Sequence, residues 1–326
     1  MQRLISFDIA KAICIILVVI GHYVPDYSPK WYVGVHDVIY TFHMPLFMFA
    51  SGFIYMATKK DIPYRDFLLK KVKRLMVPYL SVSAIVITIK MLTEDHAYVE
   101  NSVTVMSYVK MFYLPEAGYF LWFIWALWWM FVIVPLFKTR QMRLGVFVLA
   151  FILHYIPSFL PDVFCLRQFQ NMLVFFMLGV VCFDWKKEIS FTGKIPAWSV
   201  LGSFVIAEII KITDIRGGQI AVLLPYLGIA AVMVLSSLFE KWNKKGNGWL
   251  LVVSASSYII YLFHTTFEGF AKAVVHKIPV FADGSNYVLF CLNIVIVVAC
   301  GVVCPIILHH YVLNKTKITK VLFGLK

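Results

Sequence analysis

Apolar runs of about 20 residues recur along the whole chain, split by short polar segments, and each is long enough to cross a bilayer core of about 30 Å as a helix. Ten such runs fall near residues 9–25, 39–57, 77–93, 119–137, 144–160, 170–183, 196–212, 219–239, 249–270 and 288–312. The expected fold is therefore all-α: a polytopic membrane helix bundle of about ten transmembrane helices. Between the runs, the longest polar stretches are 58–76 and 94–118. In the first, Phe67, Leu68, Val72, Leu75 and Met76 alternate with lysines, which predicts an amphipathic helix on the membrane surface. Pro78 then stands where a new helix can begin, so it is expected to open the third span. No internal repeat or soluble appendage interrupts the pattern, and residues 1–326 read as a single integral membrane domain.

Composition agrees: 61% of the 326 residues are hydrophobic and 14% are charged. The net charge of +13 does not indicate a nucleic-acid partner, because on a membrane protein positive charge first reports topology. With the amino terminus inside, 21 of the 30 Lys and Arg fall in inner segments, 7 in outer segments, and Lys11 and Lys90 within spans. That bias places both termini in the cytoplasm. The first run contains an Asp and a Lys and lacks a small-residue cleavage site, so it reads as a span and not as a cleaved signal. The six cysteines show no CxxC pair or His/Cys grouping at ligand spacing, so neither a disulfide framework nor a metal site is expected.

The first span, RLISFDIAKAICIILVVIGH, carries Asp8, Lys11 and His22. Ionisable groups inside a span are costly and mark functional paths. Eleven residues of α-helix return to within about 20° of the same azimuth and rise roughly 16 Å, so Lys11 and His22 share a stripe. Asp8, three residues before Lys11, can pair with it. Other spans bring polar groups to the same outer level: His36, Asp37 and His43 on the second, Trp122 on the fourth, His154 on the fifth, Glu208 and Lys211 on the seventh, and Tyr261, His264 and Glu268 on the ninth. Competing structural readings apply to several of these. Trp125 and Trp128 suit an interfacial aromatic belt, His154 a packing hydrogen bond, and Lys211 and Glu268 suit snorkelling to the surface.

An imidazole titrates near neutrality and can take a proton from an alcohol as general base. A cation some 16 Å away on the same stripe could hold an anionic carrier whose reactive end must reach that imidazole. Coenzyme A has this build, with phosphates at one end and a thioester at the other. Lys70, Lys71, Lys73 and Arg74 offer phosphates a second basic cluster, although the same residues also serve as a topology signal.

Lys11 and His22 also fit the pattern of a basic residue, ten intervening residues and a histidine that marks the acyltransferase 3 membrane acyltransferases. FHMPLFMFASGF (Phe42 to Phe53) is similar to that family's second-span signature, and KKVKRLMVPYL (Lys70 to Leu80) to its basic run before the third span. FLWFIWAL and SSYIIYLFH are weaker echoes. The five in order cover essentially the whole chain, and the opening most resembles the fucose 4-O-acetylase-like branch. The resemblance implies transfer of an acyl group, commonly acetyl, from acyl-CoA to a hydroxyl of a sugar in an exported or lipid-linked glycan, in a bacterial inner membrane. It implies His22 as the catalytic histidine, Lys11 as its basic partner, and donor contact by the run ending at Arg74. Acetyl-CoA would then be a donor substrate, with no permanently bound cofactor. Asp8, His43, Trp122, Glu208, Tyr261 and His264 are expected in supporting roles, with His43, Tyr261 and His264 the candidate oxyanion donors. No stretch resembles the extracytoplasmic hydrolase-like domain of larger members. Partners are the donor, the glycan, membrane lipids and, as one option, further copies of the chain. The rival class is a transporter or flippase for a lipid-linked sugar, which would not need acyl-CoA; a purely structural subunit would leave the charged stripe without a reason.

Overall fold

In a computed structural model the chain is all-helical, with no strand among the described residues, which are 4–93, 102–186, 196–213, 217–242, 248–275, 277–278, 281 and 286–325. Arg3, Lys187, Lys194, Arg216, Lys244, Lys245 and Lys326, counted above for topology, lie outside them, as do residues 94–101 of the long polar stretch. Eight described helical segments are long and apolar enough to cross a membrane: Ile5–His22, Lys30–Ala57, Tyr64–Thr93, Tyr119–Leu136, Val163–Asp184, Leu224–Trp242, Gly248–Val275 and Tyr287–Leu313. The fifth and seventh expected spans correspond to helices of 16 residues each, Arg140–Tyr155 and Ala197–Ile212. At 1.5 Å per residue each is about 24 Å long.

Contacts divide the chain into two compact units. Unit 1 comprises Met1–Ser51 and Trp185–Ile306. It contains α1 (Ile5–His22), most of α2 (Lys30–Ala57), α9 (Ala197–Ile212), the short α10 (Gly217–Ile220), α11 (Leu224–Trp242), α12 (Gly248–Val275) and most of α13 (Tyr287–Leu308). α1 lies against α11 and α12. Two small residues set close approaches between helices. At Gly228 of α11 a Cβ would collide with the Phe42 side chain of α2, and at Gly301 of α13 it would meet Val19 Cγ1 at 2.8 Å and Glu268 Cγ at 2.9 Å. Glu268 is therefore not a snorkelling residue. It is 5% exposed, on a helix that continues seven residues further to Val275 and under the close approach of α13 at Gly301.

Unit 2 comprises Gly52–Asp184 and Ile307–Lys326. Its helices are α3 (Tyr64–Lys71), α4 (Val77–Thr93), the short α5 (Ser107–Lys110), α6 (Trp122–Ile133), α7 (Arg140–Tyr155), α8 (Leu166–Asp184) and α14 (Lys317–Leu322). The surface helix and third span expected as separate elements form one continuous helix. α3 passes into α4 through a single π-turn, Val72–Met76, whose closing bond runs from the Val77 N–H to the Val72 carbonyl. Pro78 sits inside this helix and does not open it. Proline has no N–H for the carbonyl four residues earlier, here that of Arg74, and the widened turn relieves the ring's clash with it. Gly52 packs directly on the Phe176 carbonyl of α8, an approach no side chain permits. Arg143, counted above as a loop cation, is buried. Its guanidinium makes two bonds to Asp184, at 2.6 and 2.9 Å, and two more to the carbonyls of Phe137 and Lys138. Trp125 is buried as well, its ring 5.6 Å from that of Tyr79, and so is a core residue and not part of a belt.

Candidate functional site

α1 carries nine buried apolar or small positions, from Phe7 to Gly21, on the faces turned to its neighbours. Its charged residues form a further stripe that α12 meets. Lys11 Nζ lies 3.0 Å from Asp8 Oδ1, as the i, i+3 spacing predicted. Ser254 of α12 donates to that same carboxylate oxygen at 3.2 Å. Ten residues further along α12, the His264 ring lies with its centroid 4.9 Å from that of His22. α12 thus runs in the same direction as α1 and touches both ends of its polar stripe.

His22 ends α1, and the turn that follows it is tied down. Tyr32 Oη lies 2.8 Å from the Tyr23 carbonyl and 3.3 Å from that of Ile20. Tyr23 donates to Asn293 Oδ1 at 3.2 Å, and Asn293 Nδ2 donates to Tyr27 Oη at 2.9 Å. Gly21 lets the Tyr40 ring of α2 approach, since a Cβ there would stand 2.9 Å from Tyr40 Cε2. His22 stands at the exposed end of α1, while His264 and His43 beside it are 0% and 4% exposed. A histidine on a tied-down helix end, backed by buried imidazoles, is suited to receive a substrate group.

Four histidines gather here. His22 lies near His264, His36 and His43. On α2 the rings of His36, Tyr40 and His43 form a column, with centroid spacings of 4.1 and 4.7 Å. The buried histidines have defined tautomers. His43 Nδ1 is 2.9 Å from the Ile39 carbonyl, and His264 Nδ1 is 2.8 Å from the Tyr261 carbonyl. A carbonyl only accepts, so each Nδ1 carries its hydrogen and each neutral ring presents Nε2 as an acceptor. Neither can then stabilise an oxyanion without taking up a second proton. Tyr261, with its ring 6.2 Å from that of His264, carries a hydroxyl donor that needs none. No group of three or more His, Cys, Asp or Glu among the described residues could hold a metal ion.

Glu208 of α9 accepts a 2.9 Å bond from Thr41 of α2, two residues before His43, so it braces the helix that carries His43. Trp122 and the run Lys70, Lys71, Lys73, Arg74 belong to unit 2. There the structure divides the basic run. Lys71 Nζ lies 3.4 Å from the centroid of Phe131 and 5.3 Å from that of Phe67, whereas Lys70, Lys73 and Arg74 are exposed. His154 Nδ1 donates to the Asn171 carbonyl at 2.6 Å, the packing role weighed above. Ser254 and His36 were not anticipated as site residues. His36 had a signal: His36, Tyr40 and His43 are spaced i, i+4, i+7 and so fall on one helix face. Unit 2 also holds a cavity of about 220 Å³ lined by Glu116, Tyr119, Asp162, Cys165 and Gln168 among others, beside two residues in the left-handed region, Phe164 (φ 56°) and Cys165 (φ 55°).

Residues 4–310 match the profile of the acyltransferase 3 family, described as an acyltransferase domain, and the match runs through both units. The chain is also similar to nodulation protein NolL of Sinorhizobium fredii (strain NBRC 101917 / NGR234), with 31% identity over 143 residues, 42% of this chain and 37% of that protein. The similarity thus spans little more than a third of that relative's length. No solved structure matches the chain.

Proposed function

The chain belongs to the acyltransferase 3 family and is an integral membrane protein; from that premise we propose that it is an O-acyltransferase. It moves an acyl group, acetyl in the first instance, from acyl-CoA to a hydroxyl of a sugar in a cell-surface or exported glycan. The observation that carries this reading is the polar stripe of α1, with the Asp8–Lys11 pair at one end, His22 at the other, and α12 against both.

In the proposed reaction, His22 takes the proton of the attacking sugar hydroxyl. The oxygen bonds to the thioester carbonyl carbon, the tetrahedral intermediate collapses, and the C–S bond breaks. The leaving thiolate takes the proton back from the imidazolium, which restores neutral His22. Lys11 holds an anionic group of the donor, and Asp8, fixed by Ser254, holds Lys11. Tyr261 is the proposed oxyanion donor, because its hydroxyl donates without a protonation step. His43 and His264 position the site, and Glu208 braces α2. In unit 2, Lys70, Lys73 and Arg74 are proposed donor-phosphate contacts on the sequence pattern alone, with Lys71 and Trp122 in structural roles. Residues 1–326 act as one acyltransferase domain in a bacterial inner membrane. Both termini face the cytoplasm, on the strength of the 21-to-7 distribution of basic residues.

The test is turnover of radiolabelled acetyl-CoA by the purified chain in liposomes, with longer acyl-CoAs in parallel. Slow donor hydrolysis registers even without the true acceptor. A chain that neither binds nor cleaves any of these donors would move the transporter reading to the front. Label trapped on the wild-type protein by a rapid quench near neutral pH, and absent from His22→Ala, would favour an acyl-His22 intermediate over direct transfer.

A further inference from the structure

The last residues of the chain return to the basic turn between α3 and α4. A second π-turn, His309–Leu313, ends the long helix that began with α13, and Thr319 Oγ1 donates to the Leu313 carbonyl at 2.7 Å. α14 then packs against α4, anchored by the buried Phe323. Gly324 follows with φ +66°, lying so close that a Cβ would stand 2.8 Å from the Arg74 carbonyl oxygen and 2.8 Å from Pro78 Cγ. The carbonyl that Pro78 deprives of a donor is therefore the one on which the C-terminal turn is seated, and only glycine fits this seat without strain.

Lys315, Lys317 and Lys320 lie on the segment that leads into this seat and packs on α4, and Lys70, Lys73 and Arg74 lie on the end of α3 and the turn on which Gly324 is seated. All six are exposed or half-buried. None has an ion-pair partner among the described residues. The only carboxylate on α3, the π-turn, α4 or α14 is Asp66, exposed on the first turn of α3. A fold that draws like charges from distant parts of the chain onto neighbouring elements, with Asp66 their one carboxylate, is suited to bind an anion with several charged oxygens. Lys71 is not part of this face, because its ammonium is turned onto the Phe131 ring.

We propose that α14 and the α3–α4 turn form one phosphate-binding face, in which Lys317 and Lys320 complete the contacts offered by Lys70, Lys73 and Arg74. The ligand chemistry is a phosphate group. Its sources are the nucleotide end of the acyl donor, which rests on the acyltransferase reading above, or an anionic lipid headgroup. Full-length protein in detergent distinguishes them. Adenosine 3′,5′-bisphosphate is titrated calorimetrically, and phosphatidylglycerol retention is read by native mass spectrometry, for wild type, Lys317→Glu/Lys320→Glu, Lys317→Arg/Lys320→Arg and Gly324→Val. The expected result is roughly tenfold weaker binding of one of these ligands by the Glu pair, the same direction for Gly324→Val, and retention by the Arg pair. Loss on the nucleotide arm identifies the donor, and loss on the lipid arm identifies the headgroup. If the Glu pair matches wild type on both arms, or wild type binds neither ligand, the proposal is overturned. Acetyl-CoA turnover in the same preparation separates the two readings. Intact turnover with no binding difference defeats only this face, and a binding difference without turnover defeats only the acyltransferase reading.

Discussion

Gly301→Ala perturbs the candidate site from behind without touching a histidine. The added methyl would stand 2.8 Å from Val19 Cγ1, 2.9 Å from Glu268 Cγ and 3.0 Å from Glu268 Oε1. Carbon contacts settle at about 3.5–4.0 Å, so α1 and α12 must each yield by roughly 0.5–1 Å. Val19 lies one turn before His22 on α1 and Glu268 one turn after His264 on α12, so the shift falls on the two helices that hold the 4.9 Å imidazole pair. Overpacking of this kind costs about 1–3 kcal/mol. Misplacement by about 1 Å can cost 10²-fold in rate, so kcat is expected to fall roughly 10- to 100-fold. The KM for acetyl-CoA should stay near wild type, since Lys11 lies two turns or more away. Gly202→Ala is the control. Nothing lies within 4 Å of its Cβ, and in a helix interior the exchange should stabilise by about 0.5–1 kcal/mol. Thermal denaturation of the purified proteins, followed by acetyl-CoA turnover in liposomes, makes the comparison. If Gly301→Ala matches Gly202→Ala in both stability and rate, the packing of α13 does not set the geometry of the histidine pair.

Three further outcomes follow from single contacts. Arg143→Met leaves Asp184 buried without its partner and should destabilise by about 3–5 kcal/mol, whereas Arg143→Met/Asp184→Leu should recover most of it; thermal denaturation reads both. Ser254→Ala removes the bond that fixes Asp8 and should raise the KM for acetyl-CoA a few-fold with kcat little changed, a split that steady-state kinetics resolves. Lys71→Met removes an ammonium already held over the Phe131 and Phe67 rings and should leave donor binding within about twofold of wild type. Equilibrium binding of acetyl-CoA would contradict this if affinity fell by an order of magnitude.

Local periodicity made the spans and the α1 stripe legible, because hydropathy and helical phase are properties of contiguous residues. The Asp8–Lys11 pair is an i, i+3 relation and could be read directly. The Ser254–Asp8 bond and the His22–His264 contact join positions some 240 residues apart, and no local spacing encodes which helices meet. Glu268 and Arg143 misled for the same reason. A charged residue near a predicted span end reads as surface-seeking until a partner helix covers it, as α13 covers Glu268 and Asp184 meets Arg143. Pro78 misled differently. Proline is tolerated at a helix start, but a π-turn also accommodates it, and the sequence does not distinguish the two.

The central assignment is His22 as general base with Lys11 as donor contact. The most direct measurement is steady-state turnover of acetyl-CoA in liposomes by wild type, His22→Ala and Lys11→Ala. His22→Ala is expected to lose activity by at least 10²–10⁴-fold while still binding acetyl-CoA, and Lys11→Ala to raise KM with kcat largely kept. A His22→Ala protein that turns over donor at the wild-type rate would contradict the assignment outright.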